Sequence, residues 1–300
     1  MKLGIIYAGQ GSQVVGMGKS FYPHEIFDQN EDLKELCFNG PLEKLSYTPY
    51  TQPCMVMVAT IITDLLKEHG IVPDYTAGLS LGEYSALYCA GVFKRQQVID
   101  LARFRGKVMQ EAVSEIESEM IAVLGMKEEL LQDLCHQASS IGVVSISNYN
   151  CPGQLVVAGE KKAVEKVKEL ALENKARRVI ALNTSGPFHT SLLKEASLAL
   201  KERFKKETFH EMKIPVIFNT LGHEIEYQSI PEILEKQVMS PVYFEKSIRY
   251  MIDQGVDTII EVGPGKVLSG FVRKIDRSIQ LYQIEDMESL KKTVKALKGE

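Results

Sequence analysis

Residues 78–82, Gly78-Leu79-Ser80-Leu81-Gly82, join a segment that predicts a strand to one that predicts a helix. The strand is the apolar run Tyr75–Leu79, and the helix is Glu83–Ala90, followed by Gly91 as a suitable left-handed cap. The two glycines lack the Cβ atoms that would collide in a tight strand–turn–helix. Such a turn exposes the hydroxyl of Ser80 at the carboxyl edge of a sheet. The spacing therefore predicts that Ser80 is a nucleophile, and an ordinary glycine-rich turn is the alternative.

Apolar strands and amphipathic helices alternate through much of the chain. Leu3–Ala8 and Asp257–Val262 are strand-like, whereas residues 54–69, with Pro53 in the first turn, and Arg95–Ala112 have helical periodicity. This alternation predicts an α/β fold with a mainly parallel sheet that is covered on both faces. We expect the polar last dozen residues to lie on the surface or to fray.

The middle of the chain follows another order, strand-helix-strand-strand-helix-strand, which is typical of a ferredoxin-like unit. Its segments are Ile121–Met126, Glu128–Ala138, Val143–Asn148, Gln154–Gly159, Lys161–Asn174 and Arg178–Leu182. We predict that residues 121–186 are a small ferredoxin-like α+β subdomain inserted into a large α/β subdomain of residues 1–120 and 187–300. The active cleft is expected between the two.

Composition excludes several classes of function. The formal net charge is −4 and no long basic stretch occurs, which argues against a nucleic-acid partner. No apolar run approaches the roughly 20 residues of a membrane span. The N-terminal residues resemble a first core strand rather than a secretory signal. The five cysteines are scattered and odd in number, as in a protein with reduced thiols, so a cytoplasmic location is predicted.

A serine hydroxyl needs a base, and His189 is the candidate among six histidines. Small and apolar residues surround His189 within 185–190, whereas the other histidines lie among charged or turn residues or end a helix. The group that orients its imidazole is left open. Glu261 is one candidate, although a structural ion pair is the simpler explanation of that residue, and a backbone carbonyl is another candidate.

Arg105 falls within the apolar stripe of its predicted helix, three residues after Ala102 and four before Met109. A guanidinium on a buried face stays charged and requires an anion. The sequence pattern leaves two anions equally possible, a core carboxylate or the carboxylate of a substrate.

Two glycine-rich loops do not match nucleotide-binding fingerprints. In the first loop, which begins at Gly9, Val14 stands where the G-x-G-x-x-G dinucleotide motif has its last glycine. In the second loop, residues 263–267, Val267 follows Lys266 where a P-loop has Ser or Thr. The first loop could instead place a backbone amide opposite Leu81 to complete an oxyanion hole. No metal-ligand spacing is present, so no metal is expected.

Seven segments in a fixed order resemble the malonyl-CoA:acyl-carrier-protein transacylases of bacterial fatty-acid synthesis over essentially the whole chain. The family is known for a hydrolase-like α/β core with a ferredoxin-like insertion, which agrees with the fold predicted above. The matching segments are residues 8–13, 78–84, 105–110, 148–154, 186–189, 237–242 and 261–266.

The resemblance implies a double displacement in which Ser80 attacks the malonyl thioester and His189 accepts its proton. The backbone carbonyl of Gln237 would hold the imidazole, and the amides of Gln10 and Leu81 would stabilise the oxyanion. Coenzyme A would leave, and the phosphopantetheine thiol of acyl carrier protein would then take the malonyl group. By this resemblance the coenzyme A thioester is a substrate, and no metal or redox cofactor is needed.

The resemblance also implies that Arg105 clamps the free malonyl carboxylate and that Phe188 suits malonyl over methylmalonyl. Asn150 is expected to line the cleft, or else to serve only a turn beside Pro152. Leu79 stands where the family often has histidine, and Ala8 where it often has proline. The histidine would be a polar neighbour of the nucleophile, so this chain lacks that neighbour.

Three other functions remain open at this point. A serine esterase or thioesterase would share the turn at Ser80 but give the acyl group to water, although Arg105 argues against it. An acyltransferase serving a polyketide synthase would differ only in its carrier. A non-catalytic docking module would not need both Ser80 and His189.

Overall fold

The computed structural model describes residues 1–299, which contain nine strands and thirteen α-helices. The strands are Leu3–Tyr7 (β1), Tyr75–Gly78 (β2), Ser118–Leu124 (β3), Val144–Cys151 (β4), Gln154–Glu160 (β5), Arg178–Ala181 (β6), Val216–Ile217 (β7), Thr258–Val262 (β8) and Gln280–Ile284 (β9). The helices are Glu25–Gln29 (α1), Glu31–Asn39 (α2), Leu42–Leu45 (α3), Thr48–Glu68 (α4), Gly82–Cys89 (α5), Arg95–Ala112 (α6), Glu128–Ala138 (α7), Lys161–Glu173 (α8), Lys194–Phe204 (α9), Ile230–Gln237 (α10), Phe244–Asp253 (α11), Val267–Ile275 (α12) and Met287–Lys298 (α13). Over this described part of the chain, no helix has both the length and the apolar character needed to cross a membrane.

Five strands form a parallel sheet in the order β7-β2-β1-β8-β9. Every residue of β1 and β8 is buried. Ile5 and Tyr7 pack into one apolar cluster, and Ile6 and Ile259 pack into another. Because successive residues of a strand point to opposite faces, both faces of this sheet are covered. The predicted parallel sheet is confirmed.

The other four strands form an antiparallel sheet in the order β4-β5-β3-β6. Ile121 and Val157 lie in a separate core with helices α7 and α8, whereas Met120 and Val156 join the core of the first sheet. The chain order of these elements is the predicted one, although β3 begins at Ser118, before the predicted boundary at residue 121. The fold is therefore mixed α/β with two distinct sheets.

A short backbone ladder joins the second sheet to the segment that follows α10. The amide of Val242 donates to the carbonyl of Ser147, and the amide of Tyr149 donates to the carbonyl of Val242, both at 2.9 Å. The rings of Tyr149 and Tyr243 stack beside this ladder with centroids 4.9 Å apart. The segment 237–242 therefore runs from the end of α10 to the edge of β4.

Helix α4 begins at Thr48, so the predicted start at residue 54 is wrong. Pro49 occupies the first turn, where a missing N–H removes no helical hydrogen bond. Pro53, predicted in that position, lies inside the helix instead. The apolar periodicity starts only after Pro53, and the pattern therefore did not reveal the polar first turn.

The polar last dozen residues, as far as the structure describes them, belong to helix α13 and its cap, so of the two expected alternatives they lie on the surface and do not fray. The side chain of Asp286 accepts a hydrogen bond from the amide of Ser289 at 2.8 Å and caps the helix. Leu290 and Val294 are buried, and their spacing of four residues places them on one helical face. Lysines and other polar residues around them gave the tail its polar composition.

Candidate active site

Ser80 lies in the turn between β2 and α5, at the carboxyl edge of the parallel sheet. Its φ of +52° is in the left-handed region that residues with side chains seldom adopt. A Cβ on Gly78 would lie 1.9 Å from the carbonyl carbon of Gly82, and one on Gly82 would lie 2.1 Å from the carbonyl oxygen of Tyr7. Both glycines are therefore required by close backbone approach, and the predicted strand–turn–helix is present.

The structure brings His189 to Ser80 although 109 positions separate them in the sequence. The distance from Ser80 Oγ to His189 Nε2 is 2.7 Å. On the other side of the ring, Nδ1 lies 2.9 Å from the carbonyl oxygen of Gln237 and 3.1 Å from that of Ser240. Because a carbonyl only accepts, Nδ1 carries the proton and donates it, which leaves Nε2 free to accept from the Ser80 hydroxyl.

His189 is held in its neutral form. Burial, reinforced by the charge of Arg105, lowers the pKa of His189 to about 4. The φ of His189 is +65°, so the second residue of the pair also has a left-handed backbone. A neutral imidazole in contact with a hydroxyl is the arrangement that general-base activation of a serine requires.

Arg105 is 1% exposed, as its position in the apolar stripe predicted. Nη1 donates to Gln52 Oε1 at 2.9 Å, and Nη2 donates to Gln237 Oε1 at 2.9 Å and to Ser80 Oγ at 3.2 Å. Within residues 1–299 no carboxylate oxygen lies within 4.0 Å of its guanidinium nitrogens. Among residues 1–299, the core carboxylate that the sequence left possible does not contact it, its hydrogen-bond acceptors are neutral oxygens, its Nε has no partner, and its Cζ lies 5.4 Å from the centroid of the Tyr84 ring.

The loop after β1 packs directly on the Ser80 turn. A Cβ on Gly9 would lie 2.4 Å from the carbonyl oxygen of Leu79. In the described part of the chain, the backbone amides of Gln10 and Leu81 have no hydrogen-bond acceptor. Two adjacent elements at the nucleophile therefore offer unused N–H donors, the groups from which an oxyanion hole is built.

A cleft of about 370 Å³ opens above Ser80 between the two sheets. Ser80, Arg105 and His189 lie at its base, and residues of β3, β4 and β5 line the opposite wall. Asn150 of β4 is 6% exposed and lines this cleft, with its Oδ1 unpaired in residues 1–299. Phe188 lines it as well. Asn150 thus lies in the cleft, as expected, in strand β4 rather than in a turn.

Glu261, one of the two candidates for orienting the imidazole, serves another purpose. Its two carboxylate oxygens accept hydrogen bonds from the amides of Leu268 and Ser269, at 3.0 and 2.7 Å. It therefore caps the start of α12, where the exposed N–H groups favour a negative charge. Within residues 1–299 it forms neither an ion pair nor a hydrogen bond to His189, so neither role considered from the sequence applies to it.

Three polar residues at the site were missed by sequence reasoning: Gln52, Glu83 and Asn219. Gln52 and Glu83 are 1% and 0% exposed, and Asn219 is 1% exposed. A glutamate within a helix whose neighbours are small or apolar was a usable signal for Glu83. Nothing in the local sequence marks Gln52 or Asn219, because their partners come from distant segments.

Comparison with known proteins identifies the family. The acyl transferase domain family matches residues 5–295. The malonyl CoA-acyl carrier protein transacylase of Bacillus subtilis (strain 168) is 41% identical over 311 aligned residues, which cover 100% of this chain and 98% of the relative. This chain belongs to the malonyl-CoA:acyl-carrier-protein transacylase family.

Solved transacylase structures share its architecture. The crystal structure of the transacylase from Clostridium perfringens Atcc 13124 gives a TM-score of 0.95 at 41% identity, covering 100% of this chain and 98% of that one. A malonyl-transacylase in complex with a type II polyketide synthase acyl-carrier protein gives a TM-score of 0.94 at 34% identity, with 100% of each chain covered. The parallel sheet with a separate antiparallel sheet is therefore the architecture of these transacylases.

The two positions at which the sequence departs from the pattern expected by resemblance face the cleft. Leu79 and Ala8 both line it, beside the nucleophile and the loop after β1. Leucine at position 79 contributes an apolar wall where a histidine would contribute a polar one. The hydrogen bonds between Ser80, His189 and Gln237 do not involve either position.

Proposed function

We propose that this protein transfers the malonyl group from malonyl-CoA to the phosphopantetheine thiol of acyl carrier protein through a malonyl ester of Ser80, in fatty-acid synthesis. One observation carries the proposal. The guanidinium of Arg105 is buried without a carboxylate partner in residues 1–299, and its Nη2 lies 3.2 Å from the hydroxyl of Ser80. A malonyl thioester has a carboxylate one methylene from the carbon under attack, so it can supply both the missing anion and the acyl group.

In the first half-reaction, Ser80 Oγ attacks the thioester carbon and His189 Nε2 accepts the hydroxyl proton. The amides of Gln10 and Leu81 stabilise the oxyanion of the tetrahedral intermediate. The carbon–sulfur bond then breaks, and the imidazolium returns the proton to the departing thiolate of coenzyme A. The Gln237 carbonyl holds Nδ1–H, which keeps Nε2 aimed at Ser80 and stabilises the transient positive charge.

The second half-reaction reverses these roles. His189 takes the proton of the carrier's phosphopantetheine thiol, the thiolate attacks the malonyl ester, and Ser80 leaves with the proton. Bonds and protons balance with these groups alone, so the scheme includes no metal or redox cofactor. Nη2 of Arg105, which lies 3.2 Å from Ser80 Oγ, turns to the malonyl carboxylate in both half-reactions.

Fold and location complete the proposal. The strand order of the second sheet and its two helices support a ferredoxin-like subdomain of residues 121–186, inserted into a hydrolase-like core of residues 1–120 and 187–300. A cytoplasmic location, where malonyl-CoA and carrier protein would meet, stays a prediction. Because a related malonyl-transacylase was solved with a polyketide synthase carrier, a polyketide carrier is the second candidate acceptor.

Mass spectrometry after mixing the protein with malonyl-CoA tests the proposal most directly. We expect a malonyl adduct on the peptide that contains Ser80, and no adduct in the Ser80→Ala variant. Adding phosphopantetheinylated carrier should discharge the adduct much faster than water does. Discharge by water at the same rate would favour a thioesterase instead, and absence of any adduct would overturn the proposal.

The pH dependence of malonyl loading tests the state of His189. His189 must be neutral to accept a proton, and its pKa is lowered from the ordinary 6.5 to about 4. We therefore expect kcat/KM for loading to stay nearly constant from about pH 8 down to about pH 5 and to fall only below that. Circular dichroism at each pH separates acid unfolding from titration. An acid limb centred near 6.5 would contradict the lowered pKa.

A further inference from the structure

Glu83 occupies the first turn of α5, three residues after the nucleophile, and is 0% exposed. Its Oε2 accepts a hydrogen bond from the amide of Asn219 at 2.5 Å, and its Oε1 accepts one from Gln237 Nε2 at 3.1 Å. No lysine, arginine or histidine in residues 1–299 forms an ion pair with it. Within residues 1–299, the burial of this carboxyl is therefore explained neither by a helix cap nor by an ion pair. Its two hydrogen-bond partners, Asn219 and Gln237, indicate a different role.

Both partners of Glu83 hold the backbone of Ser80. Asn219 Oδ1 accepts from the Ser80 amide at 2.6 Å, and Asn219 Nδ2 donates to the carbonyl of Gly78 at 2.6 Å. Gln237 Nε2 donates to the Ser80 carbonyl at 2.9 Å. The N–H and C=O of this left-handed residue are therefore fixed by two side-chain amides, and Glu83 holds both residues, Gln237 through its side-chain amide and Asn219 through its backbone amide.

Glu83 takes part in fixing which way the Gln237 amide faces. Burial raises the pKa of Glu83 to about 8, and each of its oxygens accepts a hydrogen bond, Oε1 from the Gln237 NH₂ at 3.1 Å and Oε2 from the Asn219 backbone amide. A guanidinium can only donate, so the oxygen of Gln237 faces Arg105 at 2.9 Å. The reversed amide would oppose nitrogen to nitrogen at Arg105, and it would leave the Ser80 carbonyl without its donor.

We propose that Glu83 is a positioning residue of the acyl transfer, which fixes the Gln237 amide and thereby places both Arg105 and Ser80. It touches neither substrate nor reacting atoms. The part of the proposal that concerns Arg105 rests on the proposed function, because its test measures the preference for malonyl-CoA over acetyl-CoA. The part that concerns Ser80 can be read out without any natural substrate.

The test is Glu83→Gln, which keeps the shape of the side chain but presents one acceptor and one donor. Asn219 N–H requires the acceptor, so the new NH₂ faces Gln237 and forces its amide to turn. We expect the ratio of kcat/KM for malonyl-CoA to kcat/KM for acetyl-CoA to fall at least about tenfold, since a hydrogen bond to a charged group is lost. The rate constant for labelling Ser80 with an uncharged fluorophosphonate should fall as well.

Glu261→Gln is the matched control, because Glu261 is equally buried and also accepts two backbone hydrogen bonds, yet it contacts none of the catalytic groups. A purely structural role of Glu83 would reduce the fraction of protein that labels and would act on both substrates alike. The labelling rate constant and the malonyl-to-acetyl ratio would then remain those of the unchanged protein, or would change equally in Glu261→Gln. Either result overturns the proposal.

Gln237→Met covers the case in which Glu83→Gln does not fold. It removes the side-chain amide at similar volume and keeps the backbone carbonyl that holds His189. The proposal predicts the same loss of malonyl preference and the same slower labelling, and an unchanged ratio and rate constant would overturn it. If the unchanged protein forms no malonyl adduct, the proposed function fails, but the labelling comparison still decides the role of Glu83.

Discussion

Replacing Ser80 with alanine is expected to lower malonyl transfer by at least about 10⁴-fold and to abolish the malonyl adduct. The hydroxyl is the only reacting group that the protein contributes to the covalent intermediate of the proposed scheme. His189, the oxyanion donors and Arg105 would still bind and polarise the thioester, but no acyl group could be stored between the two half-reactions. Transfer to carrier protein, followed by gel shift or mass spectrometry of the carrier, measures the loss.

Ser85→Ala is the matched control for this change. Ser85 lies on helix α5, which follows Ser80, is 2% exposed, and forms no hydrogen bond with the catalytic groups in residues 1–299. We expect its transfer rate to stay within a few-fold of the unchanged protein. A Ser80→Ala variant that retained a tenth of the original rate would mean that the acyl group passes directly between thiols or through another nucleophile.

Replacing Arg105 with alanine is expected to lower kcat/KM for malonyl-CoA by about 10²-fold or more, while acetyl-CoA gains relative to it. Removing one partner of a buried, hydrogen-bonded charge pair costs about 2–5 kcal/mol, largely because the other charge is left without a counter-ion. The malonyl carboxylate would be that unpaired charge. Acetyl-CoA has no carboxylate and therefore loses much less. Competition between the two thioesters for loading onto Ser80 measures the change.

Arg103→Ala distinguishes this effect from a general loss of positive charge on helix α6. Arg103 pairs with Asp32 on the outside of the protein, with Nη1 2.7 Å from Oδ2, and is directed away from the cleft. It should leave the malonyl preference unchanged. If the preference survives in Arg105→Ala, the guanidinium does not bind the substrate carboxylate and the clamp assignment is wrong.

The parts of the fold that local chemistry dictates were predictable from the sequence. Gly78 and Gly82 revealed the turn at Ser80 because close backbone approach excludes any other residue there. The burial of Arg105 followed from helical periodicity, since the apolar stripe of α6 includes its position. The order of strands and helices around residues 121–182 followed from the change in period along the chain.

Features that depend on long-range contacts were not predictable from local pattern. Strand β7 has only two residues and pairs with β2 across more than a hundred positions, so it has no periodicity of its own. Asn219 follows this strand, and its role depends on that pairing. Glu261 was misread because a carboxylate at the end of a strand can orient an imidazole, pair with a cation or cap a helix, and only the position of α12 decides among them.

The ladder at Val242 has a practical consequence for redesign. Residues 237–242 hold the His189 imidazole at one end and pair with β4 at the other. This one short segment therefore sets both the orientation of the imidazole and the position of the antiparallel sheet. A design that replaces the proposed ferredoxin-like subdomain with one from another protein must therefore reproduce the backbone pairing that residues 147 and 149 make with Val242. In a chimera that keeps all catalytic residues but loses these backbone hydrogen bonds, we expect the His189 imidazole to turn away from the Ser80 hydroxyl.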